Sequence, residues 1–127
     1  FLRLKLLNTS DQQLDENFYW LAKPGKSFEK LNELKQVVLA AEYNGKSVEI
    51  SNPGSETAFF IRLKLVDEKT GELVLPVFLT ENYFTLLPGE KKEINLNMPQ
   101  LSTEGTQKSV VLVTEGWNAK AKPIKLE

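Results

Sequence analysis

The sequence has 127 residues, of which 41% are hydrophobic and 26% charged, and its 16 basic and 17 acidic side chains leave a net charge of −1. Because it holds no cysteine and no histidine, disulfides, thiolate nucleophiles, cysteine zinc sites and a Ser-His-Asp triad are excluded, and the commonest metal ligand is missing. The length predicts one domain that can bury its own core, and the near-neutral charge gives no attraction to nucleic acid or to an anionic membrane.

Period-2 alternation of apolar residues, which is typical of β-strands, runs through most of the chain. Residues 1–7 alternate in this way, and because the chain begins with Phe1 we expect a piece cut from a longer polypeptide. Later alternating sets consist of Val37, Leu39, Ala41 and Tyr43; Val48 and Ile50; Phe59, Ile61, Leu63 and Leu65; and Ile94, Leu96 and Met98. Residues 110–113 are apolar on both faces, which predicts a central strand.

Turn signals separate these strand patterns at short intervals. Asn44-Gly45 predicts a hairpin, and residues 52–54, 67–71 and 88–89 predict further turns. Pro76 lies inside an apolar run and cannot donate a ladder hydrogen bond, so this strand should be an edge strand or bulged. Residues 27–34 break the pattern with apolar residues three apart, which predicts one helical turn with Ser27 as its N-cap.

Many short strands, regular turns and little helix indicate an all-β fold. The length fits an immunoglobulin-like antiparallel β-sandwich, with the one short helical turn as its only helix. We therefore predict that residues 1–127 form a single immunoglobulin-like β-sandwich domain.

A resemblance to a known family is carried by stretches that occur together in this order: Glu16-Asn17-Phe18-Tyr19-Trp20-Leu21, Ala58-Phe59-Phe60-Ile61-Arg62-Leu63, Leu75-Pro76-Val77-Phe78, Glu81-Asn82-Tyr83-Phe84-Thr85-Leu86-Leu87-Pro88-Gly89-Glu90 and Gly116-Trp117-Asn118. Together they resemble the C-terminal immunoglobulin-like domain of glycoside hydrolase family 2 enzymes, in the β-mannosidase and exo-β-glucosaminidase branch. One departure is Glu81-Asn82, where the family more often has Asp-Asn.

The resemblance implies a multidomain exo-glycosidase, β-mannosidase-like, that is periplasmic or secreted. Its catalytic acid and nucleophile are two glutamates on a central barrel flanked by sandwich domains. This chain resembles only the last sandwich and matches no catalytic motif, so we expect a non-catalytic accessory domain whose partners are the barrel and neighbouring sandwiches of its own chain.

The pattern of the acidic residues predicts solvent-exposed positions and not catalytic roles. Glutamates such as Glu29, Glu33, Glu49, Glu93 and Glu127 alternate with apolar residues or lie in loops, and a small sandwich offers no obvious pocket to raise the pKa of one carboxyl group. Asp11, Asp15 and Glu16 lack the spacing of a calcium loop. We therefore expect no catalytic residue, no metal and no cofactor in this chain.

The candidate contact residues are aromatic, and they could meet another domain or a sugar: Tyr19, Trp20, Tyr83 and Trp117. Alternation favours burial of Phe18 and Trp20 with Tyr19 opposite them, and burial of at least one member of the pair formed by Tyr83 and Phe84.

The Gly-Trp-Asn stretch near the end of the chain predicts a structural corner. We expect Gly116 to permit a bulge or a close backbone approach and Asn118 to satisfy backbone groups of the turn. Trp117 should either close the open end of the sandwich, which is the favoured interpretation, or project to a partner. Two alternatives stay open: a carbohydrate-binding module that uses exposed aromatic residues, and a generic protein-interaction sandwich with an apolar patch or open strand edge.

Overall fold

The computed structural model describes residues 1–98 and 109–126, so Glu127 lies outside the described residues. The chain divides into two compact units, Phe1–Glu33 and Leu34–Glu127. The assignment of all 127 residues to one domain stays a prediction. Within the described ranges, none of the helical structure is long and apolar enough to cross a membrane.

The first unit is a two-stranded hairpin followed by a short helical turn. Strand β1 (Leu2–Leu7) pairs antiparallel with β2 (Gln13–Tyr19). A 3-10 turn spans Glu29–Glu33, and the backbone N–H of Glu29 donates to Ser27 Oγ at 3.4 Å. The predicted helical turn and its N-cap are confirmed.

In the part of the second unit that the structure describes, nine strands form one curled, hydrogen-bonded sheet. They are β3 (Val37–Tyr43), β4 (Ser47–Ser51), β5 (Ala58–Asp67), β6 (Phe78–Leu79), β7 (Phe84–Leu86), β8 (Lys91–Asn97), β9 (Val110–Glu115), β10 (Ala119–Ala121) and β11 (Ile124–Leu126). Their order is β6-β8-β4-β3-β10-β9-β5-β7, with β11 also paired to β9.

The strand pairing confirms the predicted immunoglobulin-like fold and adds one detail. Strands β3 and β10 run parallel, whereas the other strand pairs in the described residues are antiparallel. Strand β9 pairs with β5, β10 and β11 and is buried over Val110, Val111 and Leu112. The prediction of a central strand is therefore confirmed.

The core of the second unit is built from the alternating apolar residues that the sequence indicates. Ile61, Leu63 and Leu65 of β5 are 0–3% exposed and belong to the main hydrophobic cluster. Burial of branched aliphatic side chains at this level is the main favourable term in folding, at roughly 1.5–3 kcal/mol each. The second unit thus has a closed interior of its own.

A bulge at the start of β5 changes one predicted position. Phe60 has φ 55°, and the register with β7 shifts between Ala58 and Ile61. Ala58 therefore occupies the core face beside Ile61, while Phe59 is buried but lies outside the main hydrophobic cluster. The predicted alternation holds for three of its four residues.

The predicted turns lie where the sequence indicates. Gly45 has φ 91°, and the Asn44 side-chain oxygen accepts hydrogen bonds from the backbone N–H groups of Lys46 and Ser47. Around Pro76 the chain forms a regular strand only at β6, which lies at the end of the strand order. Pro76 itself lies between the isolated bridge of Leu73 to Val66 and the start of β6, outside any regular strand, so the expected edge or bulged strand through Pro76 is wrong.

Candidate interaction surfaces

The Gly-Trp-Asn corner joins three separate segments through one buried amide. Asn118 Oδ1 accepts a hydrogen bond from the backbone N–H of Phe59 at 2.8 Å. Its Nδ2 donates to the carbonyl oxygens of Lys35 at 2.7 Å and Thr57 at 2.9 Å. Asn118 therefore satisfies backbone groups, as expected, but they lie 59 to 83 residues away in the chain and not within its own turn.

Gly116 allows the close backbone approach on which this corner depends. A Cβ atom at Gly116 would lie 2.9 Å from the carbonyl oxygen of Phe59, a distance that real Cβ contacts do not reach. The next residue, Trp117, donates its backbone N–H to the same oxygen at 2.9 Å. Trp117 is nevertheless 53% exposed, so the expectation that its side chain closes the sandwich is wrong.

Asn82 forms a similar contact that sequence reasoning missed. Its Oδ1 accepts from the backbone N–H of Leu63 at 2.8 Å, and its Nδ2 donates to the carbonyl oxygen of Leu63 at 3.1 Å. The amide thus replaces a neighbouring strand at this point of β5. A lone asparagine before two aromatic residues carries no sequence signal for such a partner.

Tyr83 projects beside this contact and forms an aromatic surface with Phe60. Tyr83 has φ 60° and is 54% exposed, whereas Phe84 is buried in the core. The ring centroids of Tyr83 and Phe60 are 5.1 Å apart with 42° between the planes. One member of the Tyr-Phe pair is therefore in the core, as expected, and the other faces solvent.

A charged cluster borders the aromatic surface. Arg62 Nε donates to Glu115 Oε1 at 2.7 Å, and Lys64 Nζ lies 3.1 Å from the same oxygen. The hydrogen bond from Arg62 holds the pKa of Glu115 below its ordinary value, with partial burial opposing and Lys64 assisting. A general acid needs the opposite shift, so this carboxylate is suited to an ion pair.

An open groove of about 460 Å³ lies next to Tyr83. Its walls combine exposed apolar side chains, among them Leu73 and Leu75, with the cations Arg62 and Lys64. A surface that combines an aromatic ring, aliphatic side chains and positive charge has the composition of a contact surface.

The aromatic residues of the first unit are also exposed. Tyr19 and Trp20 are 45% and 41% exposed, and Phe18 is half-buried. The Trp20 ring meets the Phe28 ring edge-on, with centroids 6.4 Å apart. The expected burial of Trp20 is wrong, and the four candidate contact residues are divided between the two units.

Three of the glutamates that the sequence assigns to solvated faces lie at the surface. Glu29 and Glu33 are exposed, and Glu49 accepts from Lys91 Nζ at 2.8 Å. In residues 1–98 and 109–126, no group of three or more acidic side chains is placed to hold a metal ion.

The fold and these surfaces define an immunoglobulin-like β-sandwich domain, and comparison with known proteins identifies its family. Residues 17–119 match the family described as the exo-β-D-glucosaminidase Ig-fold domain. The chain is also 31% identical, over 98% of its length, to an exo-β-D-glucosaminidase of Arthroderma benhamiae, and 31% identical over 99% to one of Hypocrea jecorina. This chain belongs to the exo-β-D-glucosaminidase Ig-fold domain family.

Solved structures agree on the fold. The exo-β-D-glucosaminidase CsxA, studied with a glucosamine-configured castanospermine, superposes with a TM-score of 0.75 at 23% identity over 94% of this chain. A complex of the Amycolatopsis orientalis exo-chitosanase CsxA with PNP-β-D-glucosamine gives a TM-score of 0.74 at 23% identity, also over 94% of this chain. The chain spans only 16–17% of the length of the two fungal relatives and 17% of CsxA.

Proposed function

We propose that this chain is a non-catalytic accessory domain of a glycoside hydrolase family 2 enzyme, whose bond-breaking residues lie elsewhere in the polypeptide. The observation that supports this most is that the chain spans only about one sixth of the length of its fungal relatives. The buried polar side chains agree with a structural role. The Asn118 amide, for example, forms three hydrogen bonds, all of them to backbone groups.

The parent enzyme, in this proposal, removes terminal β-D-glucosamine residues. The relatives that support this are named exo-β-D-glucosaminidases. The rival is the β-mannosidase-like activity that the sequence resemblance also implies. The two substrates differ at carbon 2 of the sugar, which carries an equatorial amino group in glucosamine and an axial hydroxyl group in mannose, and a pocket outside this chain would recognise this difference.

The accessory role is mechanical. A closed sandwich core gives a rigid body, and the groove beside Tyr83 offers it a surface for the catalytic barrel or a neighbouring sandwich. Arg62 and Lys64, which share a single carboxylate, favour an acidic or carbonyl-rich counterpart. The domain would thereby cover apolar surface of its neighbours and help to fix their arrangement.

The test is hydrolysis of aryl β-D-glucosaminide and aryl β-D-mannoside by the full-length protein and by the 127-residue chain, with circular dichroism to verify that the chain is folded. We expect turnover of the glucosaminide by the full-length protein and none by the chain alone. Turnover by the pure 127-residue chain would refute the accessory role. Faster turnover of the mannoside by the full-length protein would refute the proposed substrate.

A second candidate function is glycan contact by the second unit. It is favoured by the exposure of Tyr83 and Trp117, since exposed aromatic rings can stack on the apolar face of a sugar. Titration of the full-length protein with a glucosamine oligosaccharide would test it, comparing Trp117→Ala with wild type. A dissociation constant that Trp117→Ala leaves unchanged would exclude Trp117 from glycan binding.

A further inference from the structure

The hairpin of the first unit has two faces of opposite character. Directly opposite residues of an antiparallel pair share a face, and the register places Leu2 opposite Tyr19. We call the side formed by Leu2, Leu4, Leu6 and Tyr19 the apolar hairpin face. On this side Leu4 lies opposite Asn17 and Leu6 lies opposite Asp15, so the β1 row is apolar and the β2 row adds an amide and a carboxylate.

The other face pairs its charges within the hairpin, where Arg3 and Lys5 both lie near Glu16. Arg3 lies over the ring of Phe18, with its guanidinium carbon 5.6 Å from the ring centroid. Lys5 Nζ is 3.6 Å from Glu16 Oε2. The side chains of Arg3 and Glu16 are only 14% and 22% exposed.

The two faces show the reverse of the usual pattern, in which charged side chains contact water and apolar side chains do not. Leu2, Leu4 and Leu6 are 42–60% exposed, while charged residues of the opposite face are the more covered ones. A soluble strand normally turns its apolar side inward and its charges outward. An exposed apolar row bordered by polar side chains is typical of a surface that meets a partner.

The hairpin also needs a partner to be stable. A two-stranded hairpin by itself is marginal in water at best, and none of the described residues in Phe1–Glu33 is buried. A contact that covered the apolar hairpin face would remove three leucine side chains from water, which is the main source of stability available to this unit.

The length of the relatives indicates what covers this face. The family match begins at residue 17, so β1 precedes the matched domain, yet the Arthroderma benhamiae relative aligns with 98% of this chain and is about six times as long. We propose that the apolar hairpin face packs against another domain of the same polypeptide, on an aliphatic surface with a basic group facing Asp15 and Asn17. This inference rests on the proposed function, because it requires that the chain be one domain of a larger enzyme.

The experiment is hydrogen exchange of the full-length protein, followed by mass spectrometry of the peptide that covers residues 1–8. Leu4→Ser removes apolar surface from the proposed contact, and Lys5→Ser is the matched control on the opposite face. We expect Leu4→Ser to speed exchange of this peptide at least about tenfold. A leucine buried in the proposed contact would shift the equilibrium between the closed and the locally open hairpin by about that factor. Lys5→Ser should change it by less than about threefold, since an exposed ion pair contributes little.

Equal exchange rates in the wild type and both variants would overturn the proposal. Protection that disappears on dilution would assign the face to a second copy of the chain, and protection that requires lipid vesicles would assign it to a membrane; either result overturns it as well. A full-length protein that hydrolyses its substrate while residues 1–8 exchange freely would refute this inference and leave the proposed function intact.

A second measurement does not depend on a variant that folds. Hydroxyl-radical oxidation of the wild-type full-length protein should modify Tyr19 at least about tenfold more slowly than in the same protein unfolded in urea, because a side chain inside an interface is shielded from solvent. A difference of less than about threefold, as a half-exposed tyrosine would show, would contradict the proposed contact.

Discussion

Strands β1 and β5 carry the same sequence pattern and have opposite environments. In both, aliphatic residues alternate with Arg and Lys. Leu2, Leu4 and Leu6 are 42–60% exposed, whereas Ile61, Leu63 and Leu65 are 0–3% exposed. The pattern therefore identifies a strand and its apolar side, but the burial of that side depends on what covers it.

The difference between the two regions has a structural cause. Strand β5 pairs with both β7 and β9, and its apolar side faces the core of the second unit. Among residues 1–98 and 109–126, strand β1 pairs only with β2, and the hairpin has no second layer within the residues that the first unit comprises. The second unit is therefore stabilised by its own core, whereas the hairpin of the first unit leaves its apolar side exposed.

The largest effect should come from Asn118→Ala in the 127-residue chain. It leaves the N–H of Phe59 and the carbonyl groups of Lys35 and Thr57 without their partner. Since each unsatisfied buried group costs roughly 1–3 kcal/mol, we expect the free energy of unfolding to fall by about 4 kcal/mol in urea titrations. Asn97→Ala, on the exposed side of β8, is the control and should lie within about 0.5 kcal/mol of wild type. A loss below about 1 kcal/mol for Asn118→Ala would contradict the account.

The direct comparison of the two strands uses one substitution in each. Leu65→Ala should lower the free energy of unfolding by about 3 kcal/mol, because it leaves a cavity in a packed core. Leu4→Ala should lower it by less than about 0.5 kcal/mol in the 127-residue chain, because the side chain is exposed. Equal losses, measured by urea denaturation, would show that the hairpin is part of the same cooperative core.

Gly116→Ala tests the close approach at the corner. The new Cβ would meet a backbone oxygen at 2.9 Å, so β5 or the corner must shift, and we expect a loss of about 2 kcal/mol. Gly54→Ala is the graded control, because its nearest neighbour is the side-chain oxygen of Asn52 at 3.2 Å. Thermal unfolding that ranks Gly54→Ala as the more damaging change would be inconsistent with this geometry.

A small, pH-dependent effect concerns Glu115, whose pKa is lowered chiefly by its hydrogen bond from Arg62. A carboxylate with a lowered pKa in the folded state stabilises the fold above its unfolded pKa, and this contribution disappears as the pH falls through the folded value. Glu115→Gln should therefore cost less than about 1 kcal/mol at neutral pH, as expected for a surface ion pair, and nothing in strong acid. The measurement is the midpoint of urea unfolding from pH 7 to pH 2, with exposed Glu72→Gln as control. A cost that stays constant over this range would refute the ionic origin.

The regular parts of the fold could be predicted from sequence because they obey local rules. The hairpin at Asn44-Gly45, the central strand β9 and the helical turn after Ser27 follow from turn chemistry, alternation and capping. The bulge at Phe60 could not be predicted in this way, since a positive φ at a phenylalanine contradicts its local preference.

The side-chain partners were beyond sequence reasoning for a different reason. Asn118 and Asn82 bind backbone groups that are distant in the chain, and only the folded topology brings them together. The aromatic residues were misjudged because large size favours burial on average, although Trp20 and Trp117 are exposed. The size of an aromatic side chain favours an apolar contact. The sequence does not show whether that contact lies within its own domain or with another one.

Residue-resolved hydrogen exchange of the 127-residue chain, measured by NMR spectroscopy, tests most directly whether the two regions differ as described. We expect the amides of β5 and β9 to exchange only through global unfolding. Their exchange in Leu65→Ala should therefore accelerate by the factor that corresponds to the whole loss of unfolding free energy. The amides of β1 and β2 should exchange through local opening at much lower free energy and remain unaffected by Leu65→Ala. Exchange of both regions at one common free energy, with the same response to Leu65→Ala, would contradict the distinction between a closed sandwich and an open hairpin.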